Sequence, residues 1–384
     1  MVIKPSALND DSFQCIKAPK DAVIVQETTQ PFDFFRPPSK LRLVRGNTQD
    51  FILLKLHHVT YDAWTVQTIV EDLAALYHNV DLPTSPRFKS FIHHTMRSLH
   101  TNAEEAYWRK SLYRCQQTLL QPPITQSDTP LPTSTTSTSI SVSIKSAIAH
   151  LQALETSCRH SSISLPTTIL LAFSRALARH TSTINPTFGL YQAGRSASFK
   201  GIAQLCAPCL NVTLVVISNA LDRPAPDSAI RLQADLAARV DFEQSFLHEV
   251  LEWVGYVGKP LFNSFVNILM YEGVRHLISA ESSTKMATSE DPIFAPGQLG
   301  DIPMDLAPTE ATMHGKTAVD GLELGYLAEK NLYLDVVRSV EDDSVDFGFR
   351  CDAELMDEGM VRAFAGQIAG EVVKIVESFE KRMR

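Results

Sequence analysis

Residues 51–77 read FILLKLHHVTYDAWTVQTIVEDLAALY, and the fold follows from how this stretch divides. The run Phe51-Ile52-Leu53-Leu54-Lys55-Leu56 is short and rich in large apolar side chains, which predicts a strand buried on at least one face. His57 and His58 end it. Alternation along the strand predicts His58 on the face of Ile52, Leu54 and Leu56, and His57 on the face of Phe51, Leu53 and Lys55. After Val59-Thr60-Tyr61, Asp62 stands where a helix begins, and Val66, Ile69, Val70, Leu73, Leu76 and Tyr77 recur at helical spacing. Two imidazoles and a carboxylate therefore gather around one strand-to-helix connection.

The rest of the chain sets the bounds. With 384 residues and 44% hydrophobic content, it is long enough for two lobes with a large core. The 35 basic and 43 acidic residues leave a net charge of −8, and without a long basic run nucleic-acid binding has no electrostatic support. No apolar stretch reaches the length of a membrane span, and the start, MVIKPSALNDDS, lacks the basic flank and apolar centre of a signal peptide. The expectation is a soluble, cytoplasmic protein with no membrane partner. Six scattered cysteines (Cys15, Cys115, Cys158, Cys206, Cys209, Cys351) suit free thiols in a reducing compartment, with buried, unreactive thiols as the reading of the Cys206/Cys209 pair. Cys206-Ala207-Pro208-Cys209 has the form CxxC, but no second CxxC or nearby histidine completes a zinc site.

Taken in order, residues 1–50 hold short apolar groups at 13–16, 22–25 and 41–44, read as short strands and loops. Beyond the central helix, Asp81-Leu82-Pro83-Thr84-Ser85-Pro86 breaks the chain and a helical stretch follows over 88–112. Residues 1–120 form the expected N-terminal lobe. The segment 121–139, crowded with Pro, Ser and Thr, reads as a linker. A C-terminal lobe over 140–384 opens with a strand at 140–144, then helices at 147–158 and from Pro166 onward. Further strands are expected at 187–191, 210–217, 262–270, 322–327, 332–337 and 345–349, and helices at 227–238, 243–253 and from Met360 to the end. Residues 277–318 have little period and read as a long loop or crossover.

A histidine at a strand end can take a proton from an attacking amine or hydroxyl, or hold that nucleophile in line, because its ordinary pKa is about 6.5. His58 is the candidate. For an isolated His-His pair a structural role is the simpler reading, and His93-His94 illustrates it, having no carboxylate four residues on. For Asp62 the simpler reading is a helix N-cap; it could also orient an imidazole or pair with a distant arginine. A metal site is not expected, since HExxH is absent and adjacent histidines on opposite strand faces converge poorly on one ion.

His57-His58-Val59-Thr60-Tyr61-Asp62-Ala63 resembles the HHxxxDG motif of condensation domains of nonribosomal peptide synthetases, within the superfamily of CoA-dependent acyltransferases. Ala106-Tyr107-Trp108-Arg109-Lys110-Ser111-Leu112 is similar to that family's YWxxxL stretch, Gly194-Arg195 to its GR turn, and Ala207-Pro208-Cys209-Leu210-Asn211 to the GPCLN segment of fungal-type members. They occur in the family's order over roughly residues 12–380.

The resemblance implies an α/β (α+β) fold of two chloramphenicol-acetyltransferase-like lobes in a V with the active site between them. It implies carrier proteins as partners, presenting donor and acceptor, and a small-molecule or peptide substrate on a phosphopantetheine thioester, with acyl-CoA as the alternative donor. No cofactor would be bound by the domain itself. By the same resemblance His58 is catalytic, His57 structural, and Asp62 pairs with Arg195, while Ala63, Trp64 and Asn211 lie along the substrate cleft. Two departures stand out. The motif glycine is Ala63, which adds a methyl at the turn. The family's earlier AQxRLW-like and RHExLRTxF motifs are missing, the histidines arriving at residue 57, so an incomplete first lobe is expected, from a truncated gene model, a trimmed protein or a relative that has lost ordinary condensation. Three activities follow as expectations: amide-forming condensation, including intramolecular cyclisation and release; acyl-CoA-dependent N- or O-acyl transfer; and non-catalytic docking of carrier proteins.

Overall fold

In a computed structural model of the chain, the described residues are 13–16, 23, 39–45, 50–99, 101–121, 139–270, 330–340 and 342–383. The expected linker core at 122–138, the strand at 322–327 and the crossover at 277–318 lie outside them. The chain divides into two compact units. The first holds the described residues up to Phe88 together with 203–209, and the second the remainder. Residues 89–121 therefore belong with the second unit, and the division does not fall at 120 as composition suggested.

In the first unit β1 (Phe13–Ile16), β2 (Ser39–Arg45) and β3 (Asp50–Leu56) form a sheet in that order. β1 runs parallel to β2, and β2 antiparallel to β3 with Leu41 opposite Leu54. Two of the three early apolar groups are thus the strands expected. The third is not a strand at Val23, which is helical and buried. Helix α1 (Ala63–Tyr77) follows β3. It ends where Asn79 takes a left-handed φ of 56°, an arrangement that closes helices. Pro83 and Pro86 then prevent its resumption.

The second unit begins within α2 (Phe88–Ser98), at Lys89, and continues with α3 (Asn102–Ser111). The single helical stretch expected here is broken, because Thr101 is extended and its hydroxyl caps α3 by accepting from Glu104 N. The unit's body is a six-stranded mixed sheet in the order β4-β9-β8-β7-β5-β6. The strands are β4 (Ser139–Ala149), β5 (Thr187–Gln192), β6 (Asn211–Val216), β7 (Ser264–Leu269), β8 (Leu332–Ser339) and β9 (Ser344–Asp352). Its helices are α4 (Leu151–His160), α5 (Leu165–Thr181), α6 (Ala225–Arg239), α7 (Leu247–Trp253) and α8 (Glu358–Met383).

Alternation along the strands sorts the core into two layers. Val215 and Val266 join the cluster made with α5 and α8, while their neighbours Leu214 and Phe265 join one built on Trp108, Leu112, Val250 and Leu251. On the first side Phe173 of α5 meets Phe188 and Phe364 edge-on, at centroid distances of 5.0 and 5.8 Å. On the second side Phe262 and Phe265 lie where a side chain at Gly189 would be: a Cβ there would come within 2.7 Å of the Phe265 ring.

Two sequence expectations fail for a tertiary reason. Residues 147–149 continue β4 instead of opening a helix, since Ile148 pairs with Val345 of β9 and is buried there. The ladder outweighs local helix propensity, and α4 starts only after His150, left-handed at φ 59°. Likewise the helix expected from residue 243 begins at Leu247, behind a 3₁₀ turn over Val240–Phe242. The thiols are all free, with Cys158, Cys209 and Cys351 buried, Cys115 half-buried, and Cys15 and Cys206 exposed, so that of the CxxC pair Cys209 is buried as expected and Cys206 is not. Burial, aided by the charge of Asp352, pushes the Cys351 thiol up to about 11, which keeps it inert.

Glu371 of α8 is almost fully buried and bonds Arg175 at 3.2 Å and Arg179 at 2.6 Å, tying α8 to α5. Burial resists its ionisation, but the hydrogen bonds and charges of Arg179 and Arg175 outweigh it and hold the carboxyl below its usual range. A depressed carboxyl stabilises the fold above its unfolded pKa and loses that contribution as pH falls through its native one. Glu371→Ala is expected to cost about 3 kcal/mol near neutral pH, as Arg175 is left buried beside an empty site. In denaturant titrations the deficit should shrink as pH drops below about 4, and a pH-independent deficit would contradict the assignment.

Candidate active site

β3 ends at Leu56, and the chain then closes one 3₁₀ turn over His58–Thr60. The His57 carbonyl accepts from Thr60 N at 2.9 Å and from Thr60 Oγ1 at 2.6 Å. The His57 ring is also engaged, its Nδ1 accepting from Val59 N at 3.3 Å, which places the ring proton on Nε2 in the neutral form. His57 thus holds the turn together. Strand alternation does not extend to His58, which begins the 3₁₀ turn, so the opposite-faces argument fails at the residue it was made for. The backbone of His58 is placed by this turn, and its imidazole lies outside the described atoms.

Asp62 is the N-cap of α1, extended at φ −119° and ψ 179°. Its Oδ1 accepts from Thr65 N at 2.7 Å and Thr65 Oγ1 at 2.6 Å. Its Oδ2 accepts from Cys209 N at 3.0 Å. Both oxygens are satisfied, as burial requires, and the second bond joins the HHxxxD turn to the residues of the CAPCLN stretch 147 positions away. A further bond in the same unit, Ser85 Oγ to the Gln204 carbonyl at 2.6 Å, secures the 203–209 segment. Ala63 and Trp64 are half-buried at the start of α1. Ala63 is not among the described residues with positive φ, so the backbone here imposes no requirement for the glycine of the HHxxxDG pattern. Tyr61 is partly buried, and burial raises its phenol pKa. Among the described residues no group of three or more His, Cys, Asp or Glu is arranged to hold a metal ion.

The second unit carries the other expected site residues. Gly194 takes a left-handed φ of 66°, which makes the GR turn possible, and Arg195 Nη1 donates to the Ile202 carbonyl at 3.0 Å. Asn211 opens β6. Its Nδ2 donates to the carbonyls of Glu243 at 2.8 Å and Ser245 at 2.9 Å, a backbone clamp that a strand-and-cleft reading did not foresee. Trp108 of the YWxxxL stretch is buried and donates from Nε1 to Ser245 Oγ at 2.8 Å. Two separate motifs therefore meet on residues 243–245, which no motif marked in the sequence. Only the acidic Glu243 between Phe242 and Phe246 offered a hint. Burial pushes the Glu243 carboxyl up, while hydrogen bonds from Ser196 and the backbone of Ala197 pull it down. Beside it lies a small polar cavity of about 130 Å³, lined among others by His94, Glu104, Ser196 and Ser245.

Residues 8–270 match the Condensation domain family, and the chain belongs to that family, whose members are acyltransferase-type enzymes. It is 34% identical over 99% of its length to the nonribosomal peptide synthetase sidC of Aspergillus fumigatus, of which it covers 8%. It is 30% identical over 92% of its length to the nonribosomal peptide synthetase fso1 of Omphalotus olearius, of which it covers 7%. The chain thus spans under a tenth of the length of these relatives. Among solved structures, the condensation domain from the Monacolin K polyketide synthase MokA shares the fold at TM-score 0.63 and 12% identity, over 95% of this chain and 79% of that one. The epimerization domain from the third module of tyrocidine synthetase B does so at TM-score 0.61 and 14% identity, over 97% of this chain and 82% of that one. The chloramphenicol-acetyltransferase-like α/β fold inferred from the motifs is the fold observed. Among the described residues no single helix is long and apolar enough to cross a membrane.

Replacing Asp62 by Ala removes the cap and the Cys209 bond together. The expected cost is about 1–2 kcal/mol, with faster amide hydrogen exchange at both Thr65 and Cys209. Asp62→Asn keeps one oxygen for Thr65 and should restore protection there but not at Cys209. Unchanged Cys209 exchange in the alanine variant would show that the cross-chain bond contributes nothing.

Proposed function

We propose that the chain catalyses condensation-type acyl transfer, forming an amide between an acyl or peptidyl thioester and an amine. The amine nitrogen attacks the thioester carbonyl carbon, the C–N bond forms, the C–S bond breaks, and the thiol leaves with the proton lost by the amine. His58 assists by accepting that proton or by holding the amine in line. His57 is structural, Asp62 and Arg195 each shape the site, and Ala63, Trp64 and Asn211 border the substrate. The observation that carries the reading is the HHxxxD turn itself, folded as a strand, one 3₁₀ turn and a capped helix, with Asp62 bonded to Cys209 of the second motif.

In this reading donor and acceptor arrive on the phosphopantetheine arms of carrier proteins, in the cytoplasm, and the domain binds no cofactor of its own. A relative from Mycosarcoma maydis, 29% identical over 90% of this chain, is named a siderophore peptide synthetase, which supports a siderophore-type peptide as the product class. Ring closure by an amine or hydroxyl of the same peptide would use the same steps.

The test offers the protein an aminoacyl-phosphopantetheine donor on a carrier protein with a free or carrier-bound amine, and separately acyl-CoA. Amide product is expected from the carrier-bound donor, and His58→Ala should lower kcat about a hundred- to ten-thousand-fold in a protein that still folds. Turnover that survives this change would remove His58 from the mechanism. Product from acyl-CoA alone would reassign the chain to stand-alone acyl transfer, and carrier binding without product from either donor would leave docking as its role.

A further inference from the structure

Arg195 sits between two peptide groups that are both held by side chains of consecutive residues. The carbonyl of Gly194, on its N-terminal side, accepts from Gln244 Nε2 at 2.9 Å. The amide of Ser196, on its C-terminal side, donates to Glu243 Oε1 at 2.8 Å. The guanidinium is oriented as well, with Nη1 on the Ile202 carbonyl. The segment that supplies the two side chains is secured in turn. Asn211 Nδ2 bonds the carbonyls of Glu243 and Ser245, and Trp108 Nε1 bonds Ser245 Oγ.

Glu243 is only 3% exposed. A turn at a protein surface can satisfy its flanking peptides with water, without a desolvated carboxylate, and burying such a group is costly unless it is hydrogen-bonded. Here the carboxylate is spent on the peptide that follows Arg195. Side chains locked by a surrounding shell of hydrogen bonds are what holds a reacting constellation within a fraction of an ångström.

We propose that Glu243 and Gln244 are positioning residues for Arg195, clamping its backbone on both sides, with Asn211 and Trp108 holding the clamp. What Arg195 does in acyl transfer rests on the condensation reading above, whereas the clamp rests on the contacts within its own unit.

Two measurements on the full chain separate these. The first needs no activity: amide hydrogen exchange at Ser196 should quicken roughly tenfold in Glu243→Ala, the loss of one hydrogen bond to a charged acceptor, and stay near wild type in Glu243→Gln, which keeps the acceptor oxygen. Unchanged exchange in the alanine variant overturns the clamp. The second is a double-mutant cycle on amide formation. Glu243→Ala should lower kcat roughly tenfold with KM little changed, and should add almost nothing when Arg195 is already alanine, since residues acting as a unit are not additive. Gln244→Ala should behave likewise with a smaller effect, and it carries the test if Glu243→Ala does not fold. Effects that simply multiply with Arg195→Ala, or a kcat unmoved by loss of the clamp, would overturn the positioning role. If the wild-type chain makes no amide, the condensation reading fails, and the exchange at Ser196 alone decides the clamp.

Discussion

The conformation of the HHxxxD turn depends on one carboxylate whose two oxygens are both engaged. Oδ1 of Asp62 receives the amide and hydroxyl of Thr65, and Oδ2 receives the amide of Cys209. The first pair starts a helix, because an unpaired amide in the first turn needs an acceptor. The third contact decides tertiary structure, bringing a segment from late in the chain onto the start of α1. A carboxylate buried to this degree is tolerated because both of its oxygens accept from donors. His57 works on the other side of the same turn, its ring and carbonyl accepting from Val59 and Thr60. The residue between these anchors, His58, is therefore delivered by a backbone that its neighbours have already settled.

The second unit applies the same physical rule on a larger scale. Its sheet carries unlike layers on its two faces, one of closely packed Phe173, Phe188 and Phe364, the other built around Trp108 and Phe265. Where polar groups enter these layers they are joined across elements. Glu371 links α5 to α8, and Asn211 links β6 to the segment before α7. Residues that read as motif letters, such as the Trp of YWxxxL and the Asn of GPCLN, prove to be ties on a shared loop, and that loop reaches the GR turn through Glu243 and Gln244.

Membership of the condensation family joins these local facts to a chemistry without requiring that any one residue carry it. The change from the motif glycine to Ala63 is accommodated because the helix begins there with ordinary backbone geometry. In physical terms the turn needs its cap and its acceptors more than it needs a residue without a side chain.

Much of this was legible in the sequence. Period-two and period-3.6 patterns placed β3, α1, α5 and α8 closely; α5 and α8 bury their apolar residues in the core, while β3 and α1 are only half-buried in their unit. The cap at Asp62 was legible too, as a local bond between residues three apart. What only the tertiary structure decided involved partners far away in the chain. Residues 147–149 are strand because β9 offers them a ladder, residues 89–121 fall in the second unit, and His58 leaves the strand before alternation can assign it a face. The Cys209 end of Asp62 and the Glu243 end of Ser196 belong to this class as well. A hydrogen bond across 147 or 47 residues leaves no periodic trace in composition, because its geometry exists only once the core has brought the two segments together.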